Sequence, residues 1–433
     1  MKPRPQAQYG MQKMKIVVVG WGTTGDVYPL LALAERLLER GHQVRVCTPT
    51  LYREKILELG AEFHEIGVAF DLPEFHAAMD AIIPKRDPLA MLRFIVEEGI
   101  VRRGEKWYQD CLAAMEGFDI AICHSVDIPG QEAAMRSEIP WLTVTYCPGF
   151  IKSFDFAPYP FPNWGRTCNA IVWKLVQLRL TFSVDALFNQ FIVSVGGKPR
   201  RSVALDRMYS PHLNLIAASP TLCPPANFPP NHKFTGIWHL ASHAYIPPPG
   251  LVDFLGAGPP PIIISFGSMG GSNGRETTEI LIDAVRRTNQ RAIIQAGWGQ
   301  LGTQAALSDI FCTEYVPHQW LFPKGCCVVH HGGAGTTASV CRAKVPSVVV
   351  AHHADQPYWG QRLAALGVAP KHLHRRNLTA ERLAKRIKQV VETPTMNARA
   401  QTLGKQIEAE DGLTKAVECV ESFPSAEAAL TGF

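Results

Sequence analysis

Cys326-Cys-Val-Val-His-His-Gly-Gly-Ala-Gly-Thr-Thr337 is the stretch that decides the fold. Its apolar run, Cys326 to Val329, delivers small residues onto the start of a helix-like segment. A strand that ends this way leaves backbone N–H groups free in a concave turn. The helix dipole adds positive potential, so the turn suits a phosphate. A plain strand–helix turn accounts for one glycine, but not for Gly332, Gly333 and Gly335 together with the Thr336 and Thr337 hydroxyls. Downstream, a second apolar run, Val345-Pro-Ser-Val-Val-Val350, ends in His352-His-Ala-Asp-Gln356. Amides for a phosphate beside a carboxylate and an amide for hydroxyls make up the chemistry that a nucleotide sugar requires. Asp355-Gln356 ahead of a proline is otherwise a turn signal, so its spacing from His331 carries the weight.

Working outward, strand-like and helix-like stretches alternate from residue 14 onward. Lys15-Ile-Val-Val-Val19 is a short buried-strand pattern that ends in Gly20-Trp-Gly-Thr-Thr-Gly-Asp26. Val27 to Arg40 then carries Leu30, Leu31, Ala34, Leu37 and Leu38 at helical spacing, with Gly41 as its stop. Further strands are expected at Gln43–Cys47, Phe118–Cys123 and Trp141–Thr145, and a helix at Leu51–Leu59. The second half repeats the alternation, with strands at Ile262–Phe266, Ala292–Gln295, Phe311–Tyr315, Val328–Val329 and Val348–Val350. The last helices are expected from Thr379 to about Phe423. Such alternation predicts an α/β fold of two Rossmann-like, doubly wound parallel sheets, with ligands at the carboxyl ends of their strands.

Prolines cluster at Pro224-Pro225, Pro229-Pro230, Pro247-Pro-Pro249 and Pro259-Pro-Pro261. They place a semi-rigid linker at 241–260 between a first domain, 14–240, and a second, 261–400. Residues 1–13 read as a disordered leader, and 401–433 as a helix that crosses back to the first domain, plus a tail. Aromatics and prolines crowd Phe150 to Trp164, and an amphipathic stretch runs from Ala170 to Val193. That texture fits the lining of a pocket for a lipophilic molecule as well as it fits a helix covering a sheet.

At 433 residues, two domains of roughly 200 residues each are the default. A formal charge of +5 is too mild for a nucleic-acid footprint, and it is compatible with a phosphorylated ligand or an anionic membrane surface. The 11 cysteines form neither zinc-ligand pairs nor a disulfide framework; Cys326 and Cys327 read as two buried strand thiols. A cytoplasmic location is expected, with peripheral membrane contact left open. No signal-peptide core is present at the N-terminus, and no apolar run reaches the roughly 18 residues of a membrane span.

Gly20-Trp-Gly22-Thr-Thr-Gly25 matches the dinucleotide pattern, but the second strand closes on Cys47-Thr48-Pro49. Nothing there holds an adenosine ribose, and no Walker lysine follows the loop. Asp26 at the start of a helix reads as an N-cap. The same position favours its charged form at the mouth of the sheet, which suits a general base for an alcohol. His331 can donate to a phosphate oxygen, and Gly267-Ser268 would meet that phosphate from the other side. The pairs His330-His331 and His352-His353 lack an acidic partner set, and neighbours on a strand point to opposite faces, so no metal site is expected. His124 ends a strand of the first domain, where it either faces an acceptor or is a satisfied loop histidine.

Gly22-Thr-Thr-Gly-Asp-Val-Tyr-Pro29, Val316-Pro-His-Gln-Trp-Leu-Phe322, His330-His-Gly-Gly-Ala-Gly-Thr-Thr337 and Asp355-Gln-Pro-Tyr358 occur in this order. Together they resemble the GT-B fold, family 1-like glycosyltransferases, in particular the branch acting on sterols, lipids and natural products, from residue 14 to about 420. The resemblance implies an acceptor bound by the first domain, a donor bound by the second, and inversion without metal or cofactor. It implies Asp26 as the catalytic carboxylate. Donor contacts would come from Thr23, Gly25, Ser268, Tyr315, Val316, His318, His331, Gly333, Ala334, Gly335, Thr336, Asp355 and Gln356. His124, Phe150, Phe154 and Trp164 are the acceptor candidates. Where related enzymes often carry Gly-Ser-Arg-Gly-Asp, this chain has Gly22-Thr-Thr-Gly-Asp26, which removes a charge contact from that loop. The expected partners are a nucleotide sugar and a lipophilic hydroxyl acceptor, with no nucleic acid, in a monomer or homodimer. UDP-glucose is the expected donor; the alternatives are a dTDP-deoxysugar such as rhamnose, a nucleotide-sugar epimerase, or a non-catalytic nucleotide-sugar-binding protein.

Overall fold

The structure is a computed structural model that describes residues 13–67, 77, 88–223, 226–240, 245–267, 274–296 and 308–423. Ile16, Val17, Val18 and Val19 are β-branched, and they form β1 (Lys15–Val19) with all four side chains fully buried. Burial on both faces is what a central parallel strand requires. Each such Val or Ile contributes about 1.5–3 kcal/mol relative to exposure. Around β1 lie β2 (Gln43–Thr48), β3 (Glu62–Glu65), β4 (Ile120–His124), β5 (Trp141–Thr145), β6 (Asn214–Ile216) and β7 (His232–Phe234). All pair in parallel, in the order β3-β2-β1-β4-β5-β6-β7.

The second sheet contains β8 (Ile262–Ser265), β9 (Ala292–Gln295), β10 (Ile310–Thr313), β11 (Cys327–His330), β12 (Ser347–Ala351) and β13 (Leu373–His374). Its order is β10-β9-β8-β11-β12-β13, again parallel throughout. The strand order reverses between β1 and β4 in one sheet and between β8 and β11 in the other. Ligands bind outside the carboxyl ends of strands at such points. Asp26 lies in the first turn of the helix that follows β1, and the turns after β4 and β11 carry Asp127 and His331. These two sheets form the expected α/β, GT-B architecture.

The two halves touch at defined places. The Tyr358 ring packs so closely on Gly149 that a Cβ there would lie 2.7 Å from it. Arg362 Nε donates to the Leu222 carbonyl at 2.9 Å, and Gln319 Nε2 donates to the Leu240 carbonyl at 3.1 Å. The last described helix, Gly412–Glu421, buries Ala416, Val417 and Val420 in the same core as Leu30, Leu33 and Leu37 of the first helix, Thr24–Glu39. Arg40 closes that seam with an ion pair to Glu421 at 2.8 Å.

Some local expectations change. The amphipathic stretch 170–193 is two helices, Arg166–Ser183 and Asp185–Ser194, which meet at the fully buried Val184. Buried Asp185 accepts from the Ala204 backbone N–H at 3.1 Å, which fixes the break. Cys327 is buried in β11 as expected, whereas Cys326 just ahead of it is only half-buried; all eleven cysteines are free.

Candidate active site

Thr23, not Asp26, is the N-cap of helix Thr24–Glu39; Asp26 is its third residue and closes a capping box. The Thr23 backbone N–H and its Oγ1 both donate to Asp26 Oδ2, at 2.8 and 3.0 Å. Gly22 has φ +126°, and a Cβ on it would sit 2.5 Å from the same oxygen, so the turn needs glycine there. Tyr52 Oη donates to the Gly22 carbonyl at 3.0 Å, and Tyr146 Oη to the Asp26 carbonyl at 2.7 Å. His124 leans on the Tyr146 ring, with centroids 4.9 Å apart. Burial raises the Asp26 pKa above its ordinary value, and the Thr23 hydrogen bonds oppose it without cancelling it. Desolvation thus outweighs the Thr23 hydrogen bonds that favour the anion.

On the other side, β11 ends at His330, and Gly332 takes φ +90°, where a Cβ would strike Val349 Cγ1 at 2.7 Å. Gly333 is the N-cap of helix Ala334–Arg342 and provides no side-chain cap. A Cβ at Gly333 would meet His331 Nε2 at 2.5 Å, and one at Gly267 would meet its Cε1 at 3.3 Å; two glycines therefore enclose the imidazole. His331 is buried, and its Nδ1 has no hydrogen-bond partner among the described residues. Burial first, then the neighbouring His352, His330, His353 and His318, keeps its pKa well below the ordinary value, so the ring is neutral.

Asp355 lies at the N-cap of helix Gln356–Ala365, and its Oδ2 accepts from Trp359 Nε1 at 2.8 Å. Burial pushes its pKa up to about 6; the Trp359 bond opposes this and the Asp26 charge adds to it. The carboxyls expected at acceptor and donor thus sense each other across the cleft. Gln356 Oε1 accepts from the backbone N–H groups of His352 and His353 at 2.7 and 3.1 Å, which leaves the NH2 end as its donor.

A single cavity of about 1880 Å³ joins these elements. Thr23, Gly25, Asp26, His124, Phe150, Tyr315, His318, His331, Gly333, Ala334, Gly335, Thr336, Asp355 and Gln356 all line it. Val316 does not: it is fully buried, and its carbonyl accepts from Gln295 Nε2 at 3.0 Å. Phe154 and Trp164 also lie outside the cavity. Buried Asn169 binds the Phe154 carbonyl and the Trp164 N–H, at 3.0 and 3.3 Å, and both aromatic side chains are exposed. Ser268 lies outside the described residues. Sequence reasoning missed Asp127, a buried carboxyl on the cavity wall. Its Oδ1 accepts from the Gly130 N–H at 2.9 Å, its Oδ2 has no partner among the described residues, and burial pushes its pKa up to about 7. In Asp127-Ile-Pro-Gly130 the cap signal was present, but nothing in it tells of a cavity. No group of His, Cys, Asp and Glu among the described residues could hold a metal ion.

Comparison with known proteins identifies the family. Residues 16–141 match the glycosyltransferase family 28 N-terminal domain, and residues 279–422 match the erythromycin biosynthesis protein CIII-like C-terminal domain. A sterol 3-beta-glucosyltransferase of Arabidopsis thaliana is 29% identical over 96% of this chain, which spans 66% of that relative's length. The vancomycin aglycone glucosyltransferase of Amycolatopsis orientalis is 30% identical over 83% of this chain and 86% of its own. A Streptomyces sp. SF2575 glycosyltransferase solved with thymidine diphosphate has the same fold, with a TM-score of 0.65 at 16% identity, covering 94% of this chain and 99% of that one. Relatives that glucosylate sterols or build antibiotics support glycosyl transfer to lipophilic or natural-product acceptors. The chain belongs to the GT-B fold, family 1-like glycosyltransferases, a family of hexosyltransferases.

Proposed function

We propose that the protein transfers glucose from UDP-glucose to a hydroxyl of a lipophilic acceptor, with inversion at the anomeric carbon and without a metal ion. The observation that carries this reading is the single cavity in which the Asp26 carboxyl faces the Gly-rich N-terminus of helix Ala334–Arg342. Its volume, about 1880 Å³, exceeds the roughly 300–1,000 Å³ of a one-ligand pocket and leaves room for donor and acceptor together. Ionised Asp26 takes the proton of the acceptor hydroxyl as that oxygen attacks the anomeric carbon. The bond from that carbon to the diphosphate breaks on the opposite face, and the nucleoside diphosphate leaves toward the N–H groups of residues 333–336. A proton affinity raised by burial makes Asp26 a stronger base at neutral pH. His331 and the helix dipole meet the charge on the leaving group.

Trp21, Trp107, Phe150, Phe161 and Phe188 line the first-domain side of the cavity and favour an apolar acceptor body, as in the sterol-acting relatives. A dTDP-deoxysugar is the second donor reading, favoured by the thymidine diphosphate of the structural neighbour. The test is a screen of UDP-glucose and dTDP-rhamnose against sterols, polyketide aglycones and hydroxylated lipids, read by mass spectrometry. A hexose-mass adduct that needs both substrates supports the proposal. Conversion of donor alone in an NMR assay would replace it with an epimerase, and nucleotide binding without any adduct would replace it with a binding protein.

A further inference from the structure

Two buried polar atoms on the first-domain side of the cavity have no hydrogen-bond partner among the described residues: Asp127 Oδ2 and Trp107 Nε1. Both residues line the cavity, at relative exposures of 1 and 3%. Asp127 caps helix Ile128–Arg136, and Trp107 lies in the first turn of the neighbouring helix Gly104–Met115. Two observations bring them together. A Cβ on Gly104, one turn before Trp107, would lie 3.4 Å from Pro129 Cγ, two residues after Asp127. Burial first, then the Asp127 charge, raises the thiol pKa of Cys111, one turn after Trp107. The Trp107 ring also packs on Trp21, with centroids 5.4 Å apart, in the loop that leads from β1 to Asp26. Around them the cavity wall is apolar: buried Val96, Ile100 and Phe188 line it and share one core with Trp107. Capping does not account for the carboxyl. The cap uses Oδ1 alone, bonded to the Gly130 N–H, and an asparagine or serine would serve as well. Nor does packing account for the indole N–H, since a phenylalanine would bury a ring without a donor. A carboxyl oxygen and an N–H buried without partners are both costly.

We propose that Asp127 and Trp107 form a subsite for a second hydroxyl of the acceptor, remote from the one that is glycosylated. The preferred acceptor is then an apolar body that carries oxygen at both ends, an inference that rests on the acceptor reading above. The remote hydroxyl accepts from the Trp107 N–H and donates its own hydrogen to Asp127 Oδ2, so one group satisfies both atoms. Other functions fit less well. An ammonium group would pair with the carboxylate but leave the Trp107 N–H facing a cation. A keto oxygen would accept from Trp107 but meets only lone pairs on an ionised carboxylate. Burial pushes the Asp127 pKa up to about 7, so both of its forms are populated near neutral pH. A hydroxyl can pair with either form, because it both donates and accepts.

The experiment is calorimetric binding of matched alcohols to the full chain in the presence of UDP, followed by transfer assays on the alcohols that bind. The probes are steroid 3β-alcohols whose far end carries hydrogen, a hydroxyl or a ketone, and long-chain primary alcohols with the same three ends. Wild-type protein should favour the hydroxyl end over the plain one by at least about tenfold on one scaffold or both. Trp107→Phe keeps the ring, removes the N–H and should cut that preference at least about fivefold. Asp127→Asn keeps the Oδ1 bond to Gly130, so its melting temperature should not fall. It puts an NH2 where Oδ2 now lies, and the ketone end, which accepts from two donors, should then bind more tightly than the hydroxyl end. A residue that only capped its helix would leave these end-group ratios untouched. Equal wild-type affinity for the three ends on both scaffolds overturns the proposal, and so does a hydroxyl preference that survives in both variants. Binding of no alcohol at all removes the acceptor reading and the subsite with it. A hydroxyl preference lost in both variants, without transfer to any probe, would leave the subsite standing and remove the transfer reading.

Discussion

Asp26→Asn tests the proposed base with little disturbance of its frame. An asparagine can place its amide oxygen where Asp26 Oδ2 now lies and still accept from the Thr23 backbone N–H, a 2.8 Å bond in the native turn. The capping box is weakened rather than lost, and a cap is worth about 1 kcal/mol in all. Against that, burial disfavours the Asp26 anion, so removal of the charge returns some stability. The melting temperature should therefore move by no more than a few degrees, since about 1 kcal/mol corresponds to only a few degrees in a chain of this size. Turnover should change far more. A positioned general base contributes about 10²–10⁴-fold, or roughly 3–5 kcal/mol of barrier. The assay pairs initial rates of glucosyl transfer with calorimetric UDP binding. The expected result is kcat lower by at least about 100-fold with the UDP affinity unchanged, because in the proposed complex the diphosphate meets residues 331–336 and not Asp26. A variant with wild-type kcat would refute the base assignment. Equal loss of UDP affinity would mean that the turn at 22–26 supports the donor site instead.

The other expectations concern protons, metal and backbone space. Because burial raises the Asp26 pKa, activity should fall at a higher pH than an ordinary carboxylate implies, as acid protonates the base. Coulombic repulsion acts both ways, so Asp355→Asn should move that acid limb of the kcat/KM profile to lower pH, whereas Thr23→Val, which removes the 3.0 Å hydroxyl bond, should move it higher. Asp127 goes from an ordinary 3.8 to about 7 on folding, so the folded state keeps a proton that the unfolded chain releases. Stability should thus decline from about pH 4 to about pH 7, and Asp127→Asn should flatten that part of a urea-midpoint series. Prolonged EDTA treatment should leave transfer rates unchanged; a loss restored by a divalent ion would end the metal-free reading. Gly22→Ala should cost kcat at least about tenfold, since its Cβ would fall 2.5 Å from Asp26 Oδ2, while Gly25→Ala, whose nearest neighbour atom would be 3.7 Å away, should leave the Asp26 acid limb where it was.

Both sheets were legible where their strands are continuous apolar runs. Ile16–Val19, Ala292–Gln295 and Ser347–Ala351 are buried along their whole length, and composition alone marks them. Glu62-Phe-His-Glu65 is a strand of mixed polarity at a sheet edge, and Asn214–Ile216 and His232–Phe234 have three residues each, too few for any period to register. Their pairing is imposed by the strands already in place. The break at Val184 escaped because apolar residues continue at helical spacing on both sides of it. In the cavity, residues that act through the backbone turn were readable, since glycines with φ of +126° and +90° leave a mark in the sequence. Side-chain direction was not. Phe150 and Phe154 look alike in the chain and are similarly exposed, yet only Phe150 lines the cavity, while Asn169 anchors the 154 and 164 backbone away from it.

Of the helix N-termini at the cavity, the chain treats two in opposite ways. Thr24–Glu39 fills its own N-terminal end with Thr23 and Asp26, whereas Ala334–Arg342 starts behind Gly333, which has no side chain to offer. Each terminus bears about half a positive charge, so the dipoles alone give little preference for an anion at either place. Desolvation supplies the difference. The Asp26 anion is disfavoured by burial, and Asp355 nearby adds its own charge to the same region. In the proposed reaction Asp26 gains a proton as the diphosphate departs, so negative charge leaves the place that resists it. It arrives beside a histidine held neutral and a helix end without a side-chain cap. The barrier to transfer is lowered by dipoles already in position rather than by new ones that must form. A cap introduced at the second terminus, Gly333→Ser, would occupy those N–H groups and crowd His331 Nε2, and it should weaken UDP binding while leaving the Asp26 acid limb where it was.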